Sequence, residues 1–245
     1  MNARELKSFK AGRVVPETKT LIFLHGGPGY GDYLEEFFKE AFPENIDCVF
    51  YTQSHGADIG ISMLLKEVDE HVQGKPSPYL VGHSWGGVLA QKYLEAYPDK
   101  KMKGLILMSS FIDYQKLNEA FIEATRKAGL EHPTLTKVFY TDEELSASKG
   151  IRQKIKTYDE GFFKKIHHDF LDEFHGEEFF KRLDLPILNI FGTDDLRTPA
   201  PMLQELADLN PRVENLEVPN AGHFPFILPE NRKIITSGVL NFLGT

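Results

Sequence analysis

A chain of 245 residues, 41% apolar and 12% aromatic, has enough apolar material for a sizeable core, which excludes a disordered chain. Its formal charge of −8 and pI near 5.6 argue against nonspecific binding to nucleic acid or anionic membranes.

Residues 1–15 contain no apolar stretch of signal-peptide length, and no window approaches about eighteen apolar residues. By default the sequence predicts a cytoplasmic chain without a membrane span. The first twenty residues offer one or two short edge strands. Thr20 to Leu24 is a β-prone run that ends at His25-Gly26-Gly27-Pro28-Gly29, with a helical stretch beginning near Asp32. Asp47 to Thr52 reads as a second strand. It holds Cys48, the single cysteine, which forms no intrachain disulfide and reads as a buried core thiol. Leu64, Leu65, Val68 and Val72 then recur at helical spacing within Ile59 to Val72. Tyr79 to Val81 is a strand and Val88 to Tyr97 a helix stopped by Pro98. Leu105 to Met108 is a further strand.

Between Phe111 and Leu183 the alternation breaks. This segment reads as helices over Tyr114 to Lys127, Asp142 to Asp159 and Glu160 to Phe180, with Phe162, Phe163, Phe170, Phe174, Phe179 and Phe180 among many charges. Strand–helix order resumes with Ile187 to Phe191, Pro201 to Leu209, Val213 to Val218 and Arg232 to Leu243. The strand runs are mainly continuous rather than alternating, as in parallel strands covered on both faces. The expectation is an α/β fold: a doubly wound, mostly parallel sheet built from residues 1–110 and 184–245, with a helical lid inserted at 111–183.

The chemistry concentrates in the loops after strands. Gly82-His83-Ser84-Trp85-Gly86 follows one strand and opens a helix, the arrangement of a nucleophile elbow. A serine there must sit on a tight turn, and Gly82 and Gly86 remove side chains where strand and helix cross. The Trp85 N–H then faces developing oxyanion charge. The loop at His25 to Gly29 offers a second donor, Gly27, because Pro28 has no N–H. His25 is read as orienting that loop by hydrogen bonding. A phosphate-binding loop is excluded by the missing lysine and Ser/Thr.

Gly192-Thr193-Asp194-Asp195 follows the late strand, and either aspartate could orient an imidazole. Pro219-Asn220-Ala221-Gly222-His223-Phe224 follows the last strand, where His223 could accept a serine proton near neutral pH. His167 and His168 do not suggest a metal site, because adjacent helical residues point in different directions. The order serine, acid, histidine is that of α/β-hydrolases.

These residues resemble the α/β-hydrolase fold, and His25-Gly26-Gly27-Pro28-Gly29 is similar to the oxyanion loop of prolyl iminopeptidases and their relatives. The resemblance implies a Gly-x-x-Asp pattern followed four residues later by Pro, which Gly192, Asp195 and Pro199 match; it selects Asp195 over Asp194. Two departures stand out. Thr52-Gln53-Ser54-His55-Gly56 retains Gln53 but lacks the acid and the arginine of the family's Asp-Gln-Arg-Gly, and His83 stands where a second glycine is common. The family's cap glutamates, which bind a substrate amine, would be represented by Glu173 and Glu177. Phe174 and Phe224 are further candidates for substrate contact.

The sequence therefore predicts a serine hydrolase with Ser84, His223 and Asp195 as triad and Gly27 and Trp85 as oxyanion donors. It needs no cofactor and no metal, and its substrate is a small molecule or short peptide rather than nucleic acid or membrane. The resemblance puts an amino-terminal peptide or amide bond first. An esterase, thioesterase or lactonase using the same residues is the alternative, and a catalytically silent ligand-binding scaffold is the reading from a different class.

Overall fold

The computed structural model describes residues 17–155 and 158–244. The six strands among the described residues are β1 (Lys19–Leu24), β2 (Ile46–Phe50), β3 (Pro78–His83), β4 (Gly104–Met108), β5 (Ile187–Gly192) and β6 (Val213–Val218). They pair in the order β2-β1-β3-β4-β5-β6, and every pairing is parallel. The order reverses at β1, which lies between β2 and β3, so the loops after β1 and β3 flank a topological switch point, where open α/β sheets bind ligands. Register brings Leu24 opposite Gly82 and His83 opposite Met108. The His25 loop and the Ser84 turn therefore leave the same edge side by side. Residues 1–16 lie outside the described region, and with them most of the predicted amino-terminal edge strands.

Helices follow the strands. Among the described residues α1 (Glu35–Phe38), α2 (Ile61–Val72) and α3 (Trp85–Ala96) precede β4. Then come α4 (Tyr114–Lys127), α5 (Leu135–Phe139), α6 (Asp142–Ala147), α7 (Lys149–Ile155), α8 (Glu160–Asp169) and α9 (Glu177–Arg182), all between β4 and β5. The helices α10 (Ala200–Gln204), α11 (Leu206–Leu209) and α12 (Pro229–Leu243) complete the chain. The inserted helical region is thus present, but more finely divided than the sequence suggests. The predicted helix over 142–159 breaks at Ser148, whose hydroxyl turns back to the Leu145 carbonyl at 2.9 Å. The predicted 160–180 helix breaks into α8, a 3₁₀ turn at Leu171–Glu173, and α9. Here tertiary hydrogen bonding wins over helical propensity: Gly176 donates to the Ile112 carbonyl at 2.7 Å, and His175 forms a bridge with Asp113.

Strand pleating divides the core in two. Ile22, Leu24, Leu80 and Leu105 face α2 and α3 through Leu64, Val68 and Leu89, and this layer continues into Phe162, Ile166 and Phe174 of the insertion. Leu21, Phe23, Val81 and Ile106 face the other way, against Tyr33, Phe38, Phe224, Phe226, Ile235 and Val239. Cys48 lies on β2, the end strand of the sheet among the described residues, and is only partly buried, yet burial still pushes its thiol up to about 12. No helix among the described residues is long and apolar enough to cross a membrane.

Candidate active site

Ser84 lies between β3 and α3 with φ 52° and ψ −119°, a conformation costing about 1–3 kcal/mol for a non-glycine residue. Surrounding structure enforces it. A Cβ on Gly86 would lie 2.0 Å from the Leu24 carbonyl oxygen, and one on Gly82 would lie 2.4 Å from Gly87 Cα. The turn is held by Ser84 N–H donating to the Met108 carbonyl at 2.9 Å, while the Ser110 hydroxyl donates to the Ser84 carbonyl at 2.8 Å. The serine side chain is left partly exposed at the sheet edge.

His223 Nε2 is 3.0 Å from Ser84 Oγ, and His223 Nδ1 is 3.0 Å from Asp195 Oδ2. Asp195 is buried and Asp194 exposed, which separates the two adjacent candidates physically. Asp195 Oδ1 accepts the N–H groups of Arg197 at 2.8 Å and Thr198 at 2.9 Å, and Oδ2 accepts the Thr198 hydroxyl. Burial pushes the Asp195 carboxyl up, but His223 and the Thr198 donors outweigh it and hold the pKa below the ordinary value. The acid is therefore kept ionised beside the imidazole it orients.

Two hydrogen-bonded chains support this triad, and sequence reading identified neither in full. In the first, the Gly26 N–H donates to Tyr33 Oη at 2.7 Å, and the Tyr33 hydroxyl donates to His83 Nδ1. His83 Nε2–H then donates to the His223 carbonyl at 2.8 Å. The histidine that departs from the iminopeptidase elbow thus ties the His25 loop to the catalytic histidine. In the second, His25 Nδ1–H donates to the Gly26 carbonyl at 2.7 Å, and Nε2 accepts the Gln53 N–H at 3.0 Å. The Gln53 amide donates to the His25 carbonyl at 2.9 Å and accepts from Trp85 Nε1 at 2.9 Å. The retained Gln53 was the visible signal of that link.

Both histidines are buried and neutral. Burial lowers His25 to about 4 and His83 to about 3, against an ordinary value of 6.5. Because the folded values are depressed, the stability they confer is complete above pH 6.5 and is lost as pH falls towards the folded values. Through this window the unfolded chain takes up protons that the native chain refuses, costing about 1.4 kcal/mol per pH unit for each histidine. Urea unfolding measured across this range should show that slope, and His83→Gln should reduce it. An unchanged slope in the variant would assign the loss to other groups.

The insertion reaches the site through the segment from α5 to α6. The Phe139 carbonyl accepts the His223 N–H at 2.9 Å, and the Phe139 ring stacks on the imidazole with centroids 5.1 Å apart. The Gly222 N–H donates to both carboxylate oxygens of the buried Glu144 at 3.0 Å. These contacts lacked a sequence signal, since they join residues about eighty positions apart.

The other residues singled out from sequence are dispersed. Glu177 is paired with Lys116 and, at 2.7 Å, with Lys181. Glu173 is exposed and, with the buried Phe174, borders an outer groove of about 120 Å³ shared with Gln91 and Lys92 of α3. Phe224 is buried between Tyr140, at 5.2 Å, and Tyr33, at 5.7 Å. Gly27 lies three residues past the end of β1 with φ 143°, and Trp85 opens α3 directly after Ser84.

A histidine placed to take the proton of a strained serine, and steadied by a buried carboxylate, makes this chain a serine hydrolase that works through an acyl-enzyme. The model of the alpha/beta hydrolase family matches residues 21–232, and the chain belongs to that family. It is 26% identical to a proline iminopeptidase of Lactobacillus delbrueckii subsp. lactis, over 87% of this chain and 86% of the relative. Among solved structures it is similar to a proline iminopeptidase-related protein from Thermus thermophilus, with TM-score 0.76, 20% identity and coverage of 93% and 90% of the two chains. A thermophilic esterase from Thermogutta terrifontis matches with TM-score 0.71, 18% identity and coverage of 92% and 89%.

Proposed function

We propose that the chain hydrolyses small carboxylic esters, with residues 111–183 acting as a lid over a core formed by 1–110 and 184–245. The observation that carries the ester reading is the placement of the two candidate amine-binding glutamates. Glu177 is occupied by two lysines, and Glu173 borders an outer groove. Phe139, stacked on His223, gives the triad an apolar neighbour instead.

In the proposed cycle His223 Nε2 takes the Ser84 proton as Oγ bonds to the ester carbonyl carbon. The carbonyl electron pair moves onto oxygen, which the Gly27 and Trp85 N–H groups stabilise. Collapse breaks the bond to the alcohol, which leaves with the proton from His223. Water then repeats the sequence on the acyl-enzyme and releases the acid. The site is proposed to work in the cytoplasm.

An aminopeptidase acting on free amino termini is the second reading, favoured by the relatives in Lactobacillus and Flavobacterium named proline iminopeptidase. Comparing kcat/KM for a neutral acyl aryl ester and an amino-terminal proline arylamide separates the two. The ester should be preferred by at least about tenfold, or about 1.4 kcal/mol in the transition state. Preference for the proline arylamide would overturn the ester reading.

A further inference from the structure

Arg197 follows the triad acid by two residues, and its backbone N–H is one of the donors that hold Asp195. Its side chain extends from the sheet edge towards the insertion. The guanidinium carbon lies 5.4 Å from the Phe121 ring centre on α4. The Tyr114 phenol, also on α4, is an electrostatic neighbour of the guanidinium. That phenol is in turn 3.2 Å from His167 Nδ1 on α8. Arg197, Tyr114, Phe121 and His167 are all partly buried, so each keeps some exposure to solvent at this seam between core and insertion.

A guanidinium in such a position is normally matched by a carboxylate, because removing its charge from water is costly. Arg126 and Arg212, both on the surface, are matched in this way by Glu123 and Asp184. Among the described residues no carboxylate is ion-paired with Arg197. Asp195 acts on it through space, but its two oxygens are already engaged by the Arg197 and Thr198 N–H groups, the Thr198 hydroxyl and His223. Asp172 acts on His167. The five donors of the guanidinium thus meet a phenol and an aromatic face, and their planar fork suits an incoming carboxylate.

We propose that Arg197, with Tyr114 and His167, forms a subsite for a carboxylate carried by the substrate, so that the preferred esters are acidic ones. The identity of the bond cleaved rests on the ester reading above; the anion subsite itself does not. The same cation would repel a substrate's free amino group. A fixed positive group also gives an acidic substrate a local partner on a chain whose formal charge is −8.

Binding to the Ser84→Ala protein isolates the subsite from turnover, and Trp85, the only tryptophan of the chain, supplies a fluorescence signal. Monoethyl adipate against diethyl adipate places the carboxylate on the acyl side. Acetoxybenzoate against its methyl ester places it on the leaving group. In at least one pair the acid should bind about tenfold more tightly than its ester. Arg197→Met should abolish that difference, and Arg197→Lys should retain part of it. Equal affinities within both pairs overturn the proposal, as does a difference that persists in Arg197→Met. Turnover by the unsubstituted protein is scored separately. Failure to hydrolyse any ester would defeat the ester reading, while the binding difference would still decide the subsite.

Discussion

Replacing Ser84 by alanine is expected to lower kcat by roughly 10⁶-fold, and replacing Asp195 by asparagine by roughly 10⁴-fold. The first change removes the nucleophile. The second acts through geometry: Asp195 Oδ2 is 3.0 Å from His223 Nδ1, and only a carboxylate there fixes the tautomer whose Nε2 can accept the serine proton. Asparagine can present its NH₂ group to the imidazole and favour the opposite tautomer. It also loses the negative charge that stabilises the imidazolium formed during attack. Because the three residues act as one unit, the double variant should fall little below Ser84→Ala alone. Single-turnover kinetics on an activated aryl ester measure all three. A double variant whose loss equals the product of the two single losses would mean that Asp195 acts independently of Ser84, against the geometry.

Much of this fold was legible because it is written in short-range patterns. Continuous apolar runs marked the parallel strands, and Val213–Val218 and Tyr114–Lys127 agree with the observed bounds. The triad was legible for a related reason: each member follows a strand end, where loop chemistry stands apart from the apolar background. Glu173 and Glu177 had no such anchor. Their side-chain directions depend on how the insertion breaks into helices, and that break is set by Gly176 reaching the Ile112 carbonyl more than sixty residues away. Tyr33 was invisible for the same reason, since its hydroxyl joins Gly26 to His83 only after β1 and β3 pair. Thr198 stood next to Pro199 in the matched pattern, but a hydroxyl donor to Asp195 could be seen only in three dimensions.

Glu144→Ala is expected to lower kcat by about 10²-fold, with a smaller change in KM, although Glu144 stands far from Ser84 in sequence. The carboxylate is fully buried and accepts the N–H groups of Gly222, at 3.0 Å, and Thr141, at 2.9 Å. Burial is the largest influence on its pKa and raises it, while those N–H donors pull the other way. Position 222 admits little else: a Cβ there would lie 2.7 Å from Glu144 Oε2 and 2.8 Å from the Phe139 carbonyl oxygen. Alanine at 144 removes the acceptor and leaves two inward-facing N–H groups unmatched, at about 1–3 kcal/mol each. The loop at Gly222 then loses one of its anchors, immediately before the histidine whose Nε2 must stay in line with Ser84. Displacements of about 1 Å in such alignments cost about two orders of magnitude in rate, which sets the expected size of the effect. Glu144→Gln keeps one carbonyl acceptor but turns an NH₂ group towards N–H donors, so it should fall between alanine and the unsubstituted chain. Glu143→Ala, at the exposed neighbouring position, should do little to kcat. The measurements are kcat and KM alongside thermal unfolding for all three variants. A Glu144→Ala protein with a lowered Tm but undiminished kcat would mean that the carboxylate only fastens the insertion to the core. A fall in kcat at temperatures where the protein remains fully folded would show that the insertion also holds the catalytic histidine in place.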